Sequence, residues 1–437
     1  MRKIKLHEVI ILILGLLFLF KGLTKKLPKT FDRVLTMEAL TIKVVMLIVG
    51  IGFILFAIIS FLRKESLIRE KKVRSFVING MLVLGSLFIS ALLIEVFLQI
   101  TTPQGCRQTD EVFHHFYIPN CNSTFSSTEW QTKVSINSVG IRDDPIQPKE
   151  NYDVRILMLG DSFTWGYGVE QNETFSEVVQ QQLNHEGVKA DVLNAGVTSY
   201  SPTLQYLYLR EKGIKLKPDV VVLNFDMSDV QDDYLREQEA IFDETGELVS
   251  VPNPEKKSFL LDLRKEIKIT ALINSIFIGI DRILPPPTKI EKPFLYDIAY
   301  DRYGITRFSE VTNESVHWQR TFSYILKMKE LCEKERCKLV LAVYPYAHQI
   351  SPIEWEEGRH NSGLLTGVIY SDRAEKKLQA FAEEQNISFI SMFEGFRESS
   401  VTPLYFSYDG HFNPSGHALA GKVLSEELIK RKIVQNQ

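Results

Sequence analysis

The sequence has little of several features that would assign a function class directly. Its 437 residues include only four cysteines, and none lies in a Cys-x-x-Cys or Cys/His spacing typical of a zinc site. Lys and Arg (51) nearly balance Asp and Glu (54), so the chain is not a basic nucleic-acid binder. It contains no internal repeat and no glycine-rich phosphate loop. We therefore expect no nucleic-acid partner, no metal and no other cofactor.

What the sequence does contain falls into two unlike parts. Apolar residues make up 45% and aromatic residues 11% of the chain, which allows a sizeable core. The mean hydropathy of -0.05 is that of a soluble protein. The first hundred residues, however, carry fifteen Lys and Arg against six Asp and Glu, a net charge of +9. Since the whole chain has a net charge of -3, the remaining residues have a net charge of -12. A basic, apolar head before an acidic body indicates a membrane anchor followed by a globular domain.

Three apolar stretches occupy this head (residues 1–100), at 9–23, 44–62 and 76–99. The last two are long enough to span a bilayer, whereas the first is short and has a signal-peptide segment as its alternative. The loop between the second and third is rich in Lys and Arg, which should keep it in the cytoplasm. We therefore expect a multi-pass protein of the bacterial cytoplasmic (inner) membrane, with its body on the extracytoplasmic, periplasmic side.

All four cysteines follow the third apolar stretch. An even number of cysteines in an exported body fits disulfides formed in an oxidising compartment. The local pairs Cys106–Cys121 and Cys332–Cys337 are the simplest of the three possible connectivities.

The body alternates short apolar runs with helical patterns after a loop-like lead segment, residues 101–150. Strands are predicted at 154–159, 190–193, 220–223, 338–344 and 387–391. Helices are predicted at 173–184, 203–212, 322–332, 373–385 and 415–431. This alternation predicts an α/β domain over 151–437 whose parallel sheet is covered by helices on both faces. The alternation fails at about 231–312, which we interpret as an insertion beside the sheet.

Polar side chains follow the predicted strands, where ligands bind in parallel sheets. Gly160-Asp161-Ser162 follows the first strand, Asn194-Ala195-Gly196 the second, and Ser228-Asp229 the third, while Asp409 and His411 precede the last helix. Each segment alone could be an ordinary helix cap or turn. A serine at a helix start together with an Asp–His pair could instead perform nucleophilic catalysis.

Together these segments resemble the SGNH/GDSL family of ester hydrolases and acyltransferases, over about residues 154–431. The lead residues 134–142 also look like a segment that precedes this domain in membrane-anchored bacterial members. The resemblance implies a three-layer, flavodoxin-like parallel sheet, the SGNH hydrolase fold. It also implies a catalytic triad and an oxyanion hole without a cofactor. The implied triad is Ser162, His411 and Asp409, and the implied oxyanion donors are Ser162, Gly196 and Ser228.

Two positions depart from the family pattern. Ser228 stands where the family has an Asn whose amide donates to the oxyanion, and Asn224 lies within the third strand, where it is a poor substitute. A serine hydroxyl is a shorter donor, and losing one donor can cost about 10²–10³ in rate. Asp409 lies two residues before His411, where many members have three, and some polysaccharide-acetylating relatives share the shorter spacing.

The function expected from this resemblance and from the predicted location is a membrane-anchored serine esterase or O-acyl(acetyl)transferase. Its expected partners are the membrane and an acyl ester of an envelope glycan or lipid. One alternative is a lipase or lysophospholipase that uses the same triad. Another is a non-catalytic glycan-binding or assembly protein of the same fold, which Ser228 would favour. Hydrolysis and transfer both remain open.

Overall fold

The computed structural model describes residues 105–253, 302–310 and 313–434, with ten helical positions between 75 and 94. The three ranges belong to one compact unit, and the scattered positions belong to another. The apolar stretches 9–23 and 44–62 lie outside the described residues, as do most of 76–99 and the middle of the predicted insertion. Among the described residues, no helix is both long and apolar enough to cross a membrane.

The described body contains short and long strands and helices in alternation. The strands are β1 (Arg107–Thr109), β2 (His115–Tyr117), β3 (Asn122–Ser126), β4 (Gln131–Ser135), β5 (Val154–Leu159), β6 (Ala190–Asn194), β7 (Val220–Phe225), β8 (Ile241–Phe242), β9 (Leu248–Ser250), β10 (Lys338–Val343) and β11 (Ser388–Ser391). The α-helices are α1 (Ser162–Trp165), α2 (Phe175–His185), α3 (Pro202–Glu211), α4 (Asp229–Glu237), α5 (Glu314–Glu335), α6 (Ala347–Ile350), α7 (Glu356–Asn361), α8 (Arg373–Glu384), α9 (Phe393–Arg397) and α10 (Pro414–Lys430).

A five-stranded parallel sheet lies at the centre, in the order β11-β10-β7-β5-β6. Its strands β5 and β7 are completely buried, because continuous apolar runs suit a strand covered on both faces. Helices α2 and α10 pack together, and α3, α4 and α5 form a second group. Because crossovers between parallel strands are right-handed, this strand order puts the two groups on opposite faces of a doubly wound sheet with flavodoxin-like order. The predicted parallel α/β sheet is confirmed.

The lead segment has more structure than its loop-like sequence suggests. It forms two antiparallel hairpins, β1–β2 and β3–β4, and a disulfide joins Cys106 to Cys121. The second local cysteine pair is not bonded. Cys332 and Cys337 are buried thiols at the end of α5, where the Cys337 N–H donates to the Cys332 carbonyl at 2.8 Å. This tight turn brings the two thiols into hydrogen-bond contact without a covalent bond.

The structure describes the two ends of the predicted insertion. Residue 231 lies inside α4, and the chain then forms the β8–β9 hairpin before leaving the described residues. Helix α5 begins at Glu314, eight residues before the predicted start. In α5 the apolar positions of the first turns are few, but Trp318 and Thr321 are buried. Tertiary packing therefore extends this helix beyond its amphipathic pattern.

Candidate active site

Ser162 is the first residue of α1 and directly follows the turn out of β5. Asp161 caps the helix, because its carboxylate accepts the backbone N–H of Phe163 at 2.9 Å. Gly160 makes the sharp turn possible, since a Cβ at this position would overlap Thr164. The sequence therefore presents the Ser162 hydroxyl at the carboxyl end of the sheet, with only 8% of the residue exposed.

The structure brings Ser162 and His411 together although 249 residues separate them. The Ser162 Oγ lies 2.7 Å from the His411 Nε2. On the other side of the ring, the Asp409 Oδ1 hydrogen-bonds the His411 Nδ1. A carboxylate at Nδ1 favours the tautomer whose Nε2 lone pair faces the serine hydroxyl. This arrangement allows His411 to accept the Ser162 proton.

Aromatic side chains fix the orientation of the His411 ring. The ring centroids of Phe163 and Tyr167 lie 4.7 Å and 5.0 Å from that of His411. Both residues belong to α1 or to the turn directly after it, so the nucleophile helix also positions the base.

Gly196, predicted as an oxyanion donor, lies in the loop after β6, which packs on α1. Its N–H donates to the Asn194 side chain at 3.1 Å, and a Cβ here would overlap the backbone of Trp165. The glycine therefore allows close packing of this loop on α1. In the loop 195–200, Ser199 is the residue whose N–H makes no hydrogen bond within the described part of the chain. Its φ of 63° is unusual for a residue with a side chain. None of the sequence motifs described above includes Ser199.

Ser228, the third predicted donor, lies at the start of α4. It is buried, and its hydroxyl donates to the Asp232 Oδ2 at 2.9 Å, because both residues lie on the same side of the first turn of α4. Asn224 lies within β7, as predicted, and donates to a carbonyl of β5 at 2.9 Å. Of the three predicted donors, only the Ser162 N–H has no acceptor among the described residues.

A cluster of buried acids and tyrosines lies directly behind the nucleophile and was not found from the sequence. The Tyr344 hydroxyl donates to Asp161 at 2.9 Å, and the Tyr346 hydroxyl donates to Asp226 at 2.6 Å. Asp161 Oδ2 lies 3.2 Å from the Ser162 Oγ. Burial, and then the charge of Asp226, raise the pKa of Asp161 to about 7. Asp161 is therefore partly protonated near neutral pH.

This raised pKa predicts a pH dependence of stability. The folded state binds the Asp161 proton more tightly than the unfolded state, so the associated stabilisation is complete below about pH 4 and is lost as the pH rises to about 7. Each pKa unit corresponds to about 1.4 kcal/mol, so the loss is at most about 4 kcal/mol. Asp161→Asn should remove this part of the decline, because its amide cannot ionise. Urea unfolding from pH 4 to pH 8 measures the effect.

The exposed Asp153→Asn serves as the control for that experiment. It should show the wild-type decline with pH. Parallel stability curves for Asp161→Asn and the wild type would contradict the prediction.

The lead segment holds the nucleophile helix through one buried arginine. Arg142 is completely buried, and its guanidinium donates to the carbonyls of Trp165, Gly166 and Val169 at 3.1, 2.5 and 2.6 Å. The same guanidinium lies 4.6 Å from the centre of the Trp165 ring. The end of α1 therefore depends on a residue that precedes β5.

The lead segment also holds the loop after β6. The Tyr117 hydroxyl donates to the Thr198 Oγ1 at 3.1 Å, and the Arg107 guanidinium donates to the same atom at 3.2 Å. The His115 Nε2 lies 2.6 Å from the Thr198 carbonyl oxygen. Burial lowers the pKa of His115 to about 3, so it is neutral here and donates from Nε2. These contacts fix the residue that precedes Ser199.

Comparisons with known proteins give structural matches only. No protein-family model matches the chain, and no curated protein matches it. Similar solved structures include a lipolytic protein of the G-D-S-L family from Desulfitobacterium hafniense (14% identity, TM-score 0.34, covering 63% of this chain and 99% of that one). Another is a GDSL-like lipase from Bacteroides thetaiotaomicron (14% identity, TM-score 0.31, covering 65% of this chain and 92% of that one). A third is a catalytic mutant of an acetylxylan esterase from Geobacillus stearothermophilus (14% identity, TM-score 0.34, covering 63% of this chain and 94% of that one).

Proposed function

We propose that this chain is a serine ester hydrolase or acyltransferase of the SGNH/GDSL type that removes or transfers a small acyl group, acetyl above all, on an envelope carbohydrate. The observation that carries this proposal is the 2.7 Å contact between the Ser162 Oγ and the His411 Nε2, with Asp409 on the Nδ1. The site lies at the carboxyl ends of parallel strands, where such sheets bind ligands. At identities near 14%, the proposal rests on this geometry and on the order of the sequence motifs.

The reaction proceeds in two steps. His411 takes the proton of Ser162 while the Oγ forms a bond to the ester carbonyl carbon, and Asp409 stabilises the resulting imidazolium. The tetrahedral intermediate collapses, the bond to the alcohol oxygen breaks, and His411 gives its proton to that oxygen. Water or a sugar hydroxyl, deprotonated by His411, then attacks the acyl-serine. The acid or the new ester leaves, and Ser162 recovers its proton.

The oxyanion is stabilised by backbone rather than by side chains. We assign the Ser162 N–H as one donor, because it has no acceptor among the described residues, whereas the Gly196 N–H and the Ser228 hydroxyl already have protein acceptors. A hole that lacks one side-chain donor should be slower by about 10²–10³ than one that has it. We therefore expect a modest kcat.

The location of the protein is part of the proposal. The basic, apolar first hundred residues support anchoring in the bacterial cytoplasmic membrane with the body outside. The cross-link between Cys106 and Cys121 fits an oxidising compartment. A body held there would meet envelope glycans. A purely binding role is less consistent with a nucleophile, base and acid that lie in hydrogen-bond contact.

Ester specificity tests the proposal on the full-length protein. We expect p-nitrophenyl acetate to be cleaved with a kcat/KM at least about tenfold above that of p-nitrophenyl palmitate, a difference within the range of pocket discrimination. The physical reason is that a site built for a small acyl group gains nothing from a long apolar chain that it cannot bury. Acetate release from acetylated xylan, with and without an acceptor glycan, then separates hydrolysis from transfer.

Two results would change the conclusion. A preference for the palmitate ester would support the lipase alternative. Absence of both cleavage and transfer, with Ser162 unreactive toward a fluorophosphonate, would leave only the binding alternative.

A further inference from the structure

The turn between β3 and β4 reaches the loop that carries Asp409 and His411. In this turn, Glu129 accepts the backbone N–H of Tyr408 at 3.0 Å and the backbone N–H of Asp409 at 2.8 Å. Each of its two carboxylate oxygens binds one N–H, across a sequence separation of 280 residues in the second case. Hydrogen bonds to an ionised acceptor are roughly twice as strong as neutral ones. Glu129 therefore holds two consecutive peptide groups of the catalytic loop.

The turn itself is well held, so Glu129 is presented in a defined position. The Ser127 Oγ accepts the N–H groups of Glu129 at 3.0 Å and Trp130 at 3.3 Å, and the Ser127 N–H donates to the Trp130 carbonyl at 2.8 Å. The Trp130 ring then packs edge to face on Tyr167 with 4.9 Å between centroids. Tyr167 also contacts the His411 ring. The turn therefore contacts the catalytic loop directly through Glu129 and reaches His411 indirectly through Trp130 and Tyr167.

The catalytic loop needs such support because it is partly exposed. Tyr408 is 38% exposed, and its carbonyl accepts the indole N–H of Trp355 at 3.0 Å. Trp355 therefore binds the carbonyl of Tyr408, and Glu129 binds its N–H. Asp409 follows immediately, so a displacement of its backbone moves its carboxylate away from the His411 Nδ1.

We propose that Glu129 is a positioning residue of the active site, which holds the Tyr408 and Asp409 peptides so that the Asp409 carboxylate meets His411. The inference rests on the proposed serine-esterase function and extends it. Glu129 lies in the lead segment, before the region of family resemblance, so part of the support of the triad comes from outside that region. The residue acts on the reaction through Asp409 and does not touch the substrate.

The test compares Glu129→Ala, Glu129→Gln and Glu129→Asp in the full-length protein. A misplaced catalytic group can cost about 10²-fold, so we expect Glu129→Ala to lower kcat for p-nitrophenyl acetate by about 10- to 100-fold with little change in KM. Glu129→Gln should be intermediate, because its amide keeps one acceptor oxygen but turns an NH₂ group toward the second N–H. Glu129→Asp should recover part of the activity. The rate of Ser162 labelling by a fluorophosphonate should fall in parallel with kcat.

Glu111→Gln, an exposed charge change in the same lead segment, is the matched control and should behave as the wild type. Wild-type kcat and labelling rate in Glu129→Ala would overturn the inference. So would a loss of activity confined to variants whose thermal unfolding midpoint falls below the assay temperature. If the wild type itself neither cleaves the ester nor becomes labelled at Ser162, the proposed function fails instead.

Discussion

Ser162→Ala should lower kcat for ester cleavage by about 10⁴- to 10⁶-fold, because removing the nucleophile of a triad removes the covalent route. The free energy of unfolding should change by less than about 1 kcal/mol, since the change deletes one hydroxyl from a helix start. The hydrogen bonds of Ser162 with His411 and Asp161 are therefore expected to contribute to the reaction and little to the free energy of unfolding. Steady-state kinetics and urea unfolding on the same samples measure both quantities.

The roles of the triad residues predict non-additive losses. His411→Gln should cost about as much as Ser162→Ala, and the double variant should lose little more, because the residues act as a unit. Ser176→Ala, which removes another buried hydroxyl at a helix start, should leave kcat unchanged. If Ser162→Ala kept more than about a tenth of the wild-type kcat, Ser162 would not be the nucleophile.

Arg142→Met should produce the largest loss of stability, about 3–5 kcal/mol. The substitution leaves three buried carbonyls of α1 and the following turn without the donor that binds them. Burial lowers the pKa of Arg142 to about 10, so the guanidinium stays charged at neutral pH and its hydrogen bonds are charge-assisted. Urea unfolding of the full-length protein gives the stability. The kcat of the folded fraction should also fall, because α1 carries Ser162.

Two further variants interpret that result. Arg142→Lys should be intermediate, because a single ammonium keeps the charge but cannot reach three carbonyls in the fork geometry of a guanidinium. Arg431→Met, at the exposed end of α10, should change stability by no more than about 0.5 kcal/mol. An Arg142→Met protein that unfolds at the wild-type urea concentration would show that the three carbonyls find other donors.

The sheet and the neighbourhood of its reactive residues could be predicted because both leave local signals. Strands buried on two faces are mostly apolar runs, as in Val154–Leu159 with Arg155 its one charged residue, and polar residues directly after them must lie at one edge of the sheet. Ser162 could be selected in this way, and Asp409 and His411 as an acid and a base close together before the last helix. Their spacing in three dimensions could not, because it depends on the whole path of the chain between them.

The oxyanion donors can be predicted from the sequence only as residue types, for a specific physical reason. A motif gives the residue type but not the hydrogen bond that its donor makes. The Gly196 N–H is taken by Asn194 and the Ser228 hydroxyl by Asp232, and each acceptor is a short polar side chain that competes locally.

The lead segment has the sequence of a loop because its strands are only three to five residues long. Its role depends on long-range contacts, such as that of Glu129 with a loop 280 residues away, which leave no periodic pattern. The unbonded state of Cys332 and Cys337 could not be derived either, because a short spacing permits a disulfide without requiring one.

The position of Arg142 before β5 has a consequence for truncation. A fragment that starts at Val154 would keep the nucleophile, the base and all five strands of the sheet, yet it would lack the guanidinium that caps the nucleophile helix. Trimming the chain to the region of family resemblance, residues 154–431, would therefore keep every reacting group but remove the lead-segment residues that hold α1 in position. The minimal working fragment has to include the cross-linked hairpins from Cys106 onward.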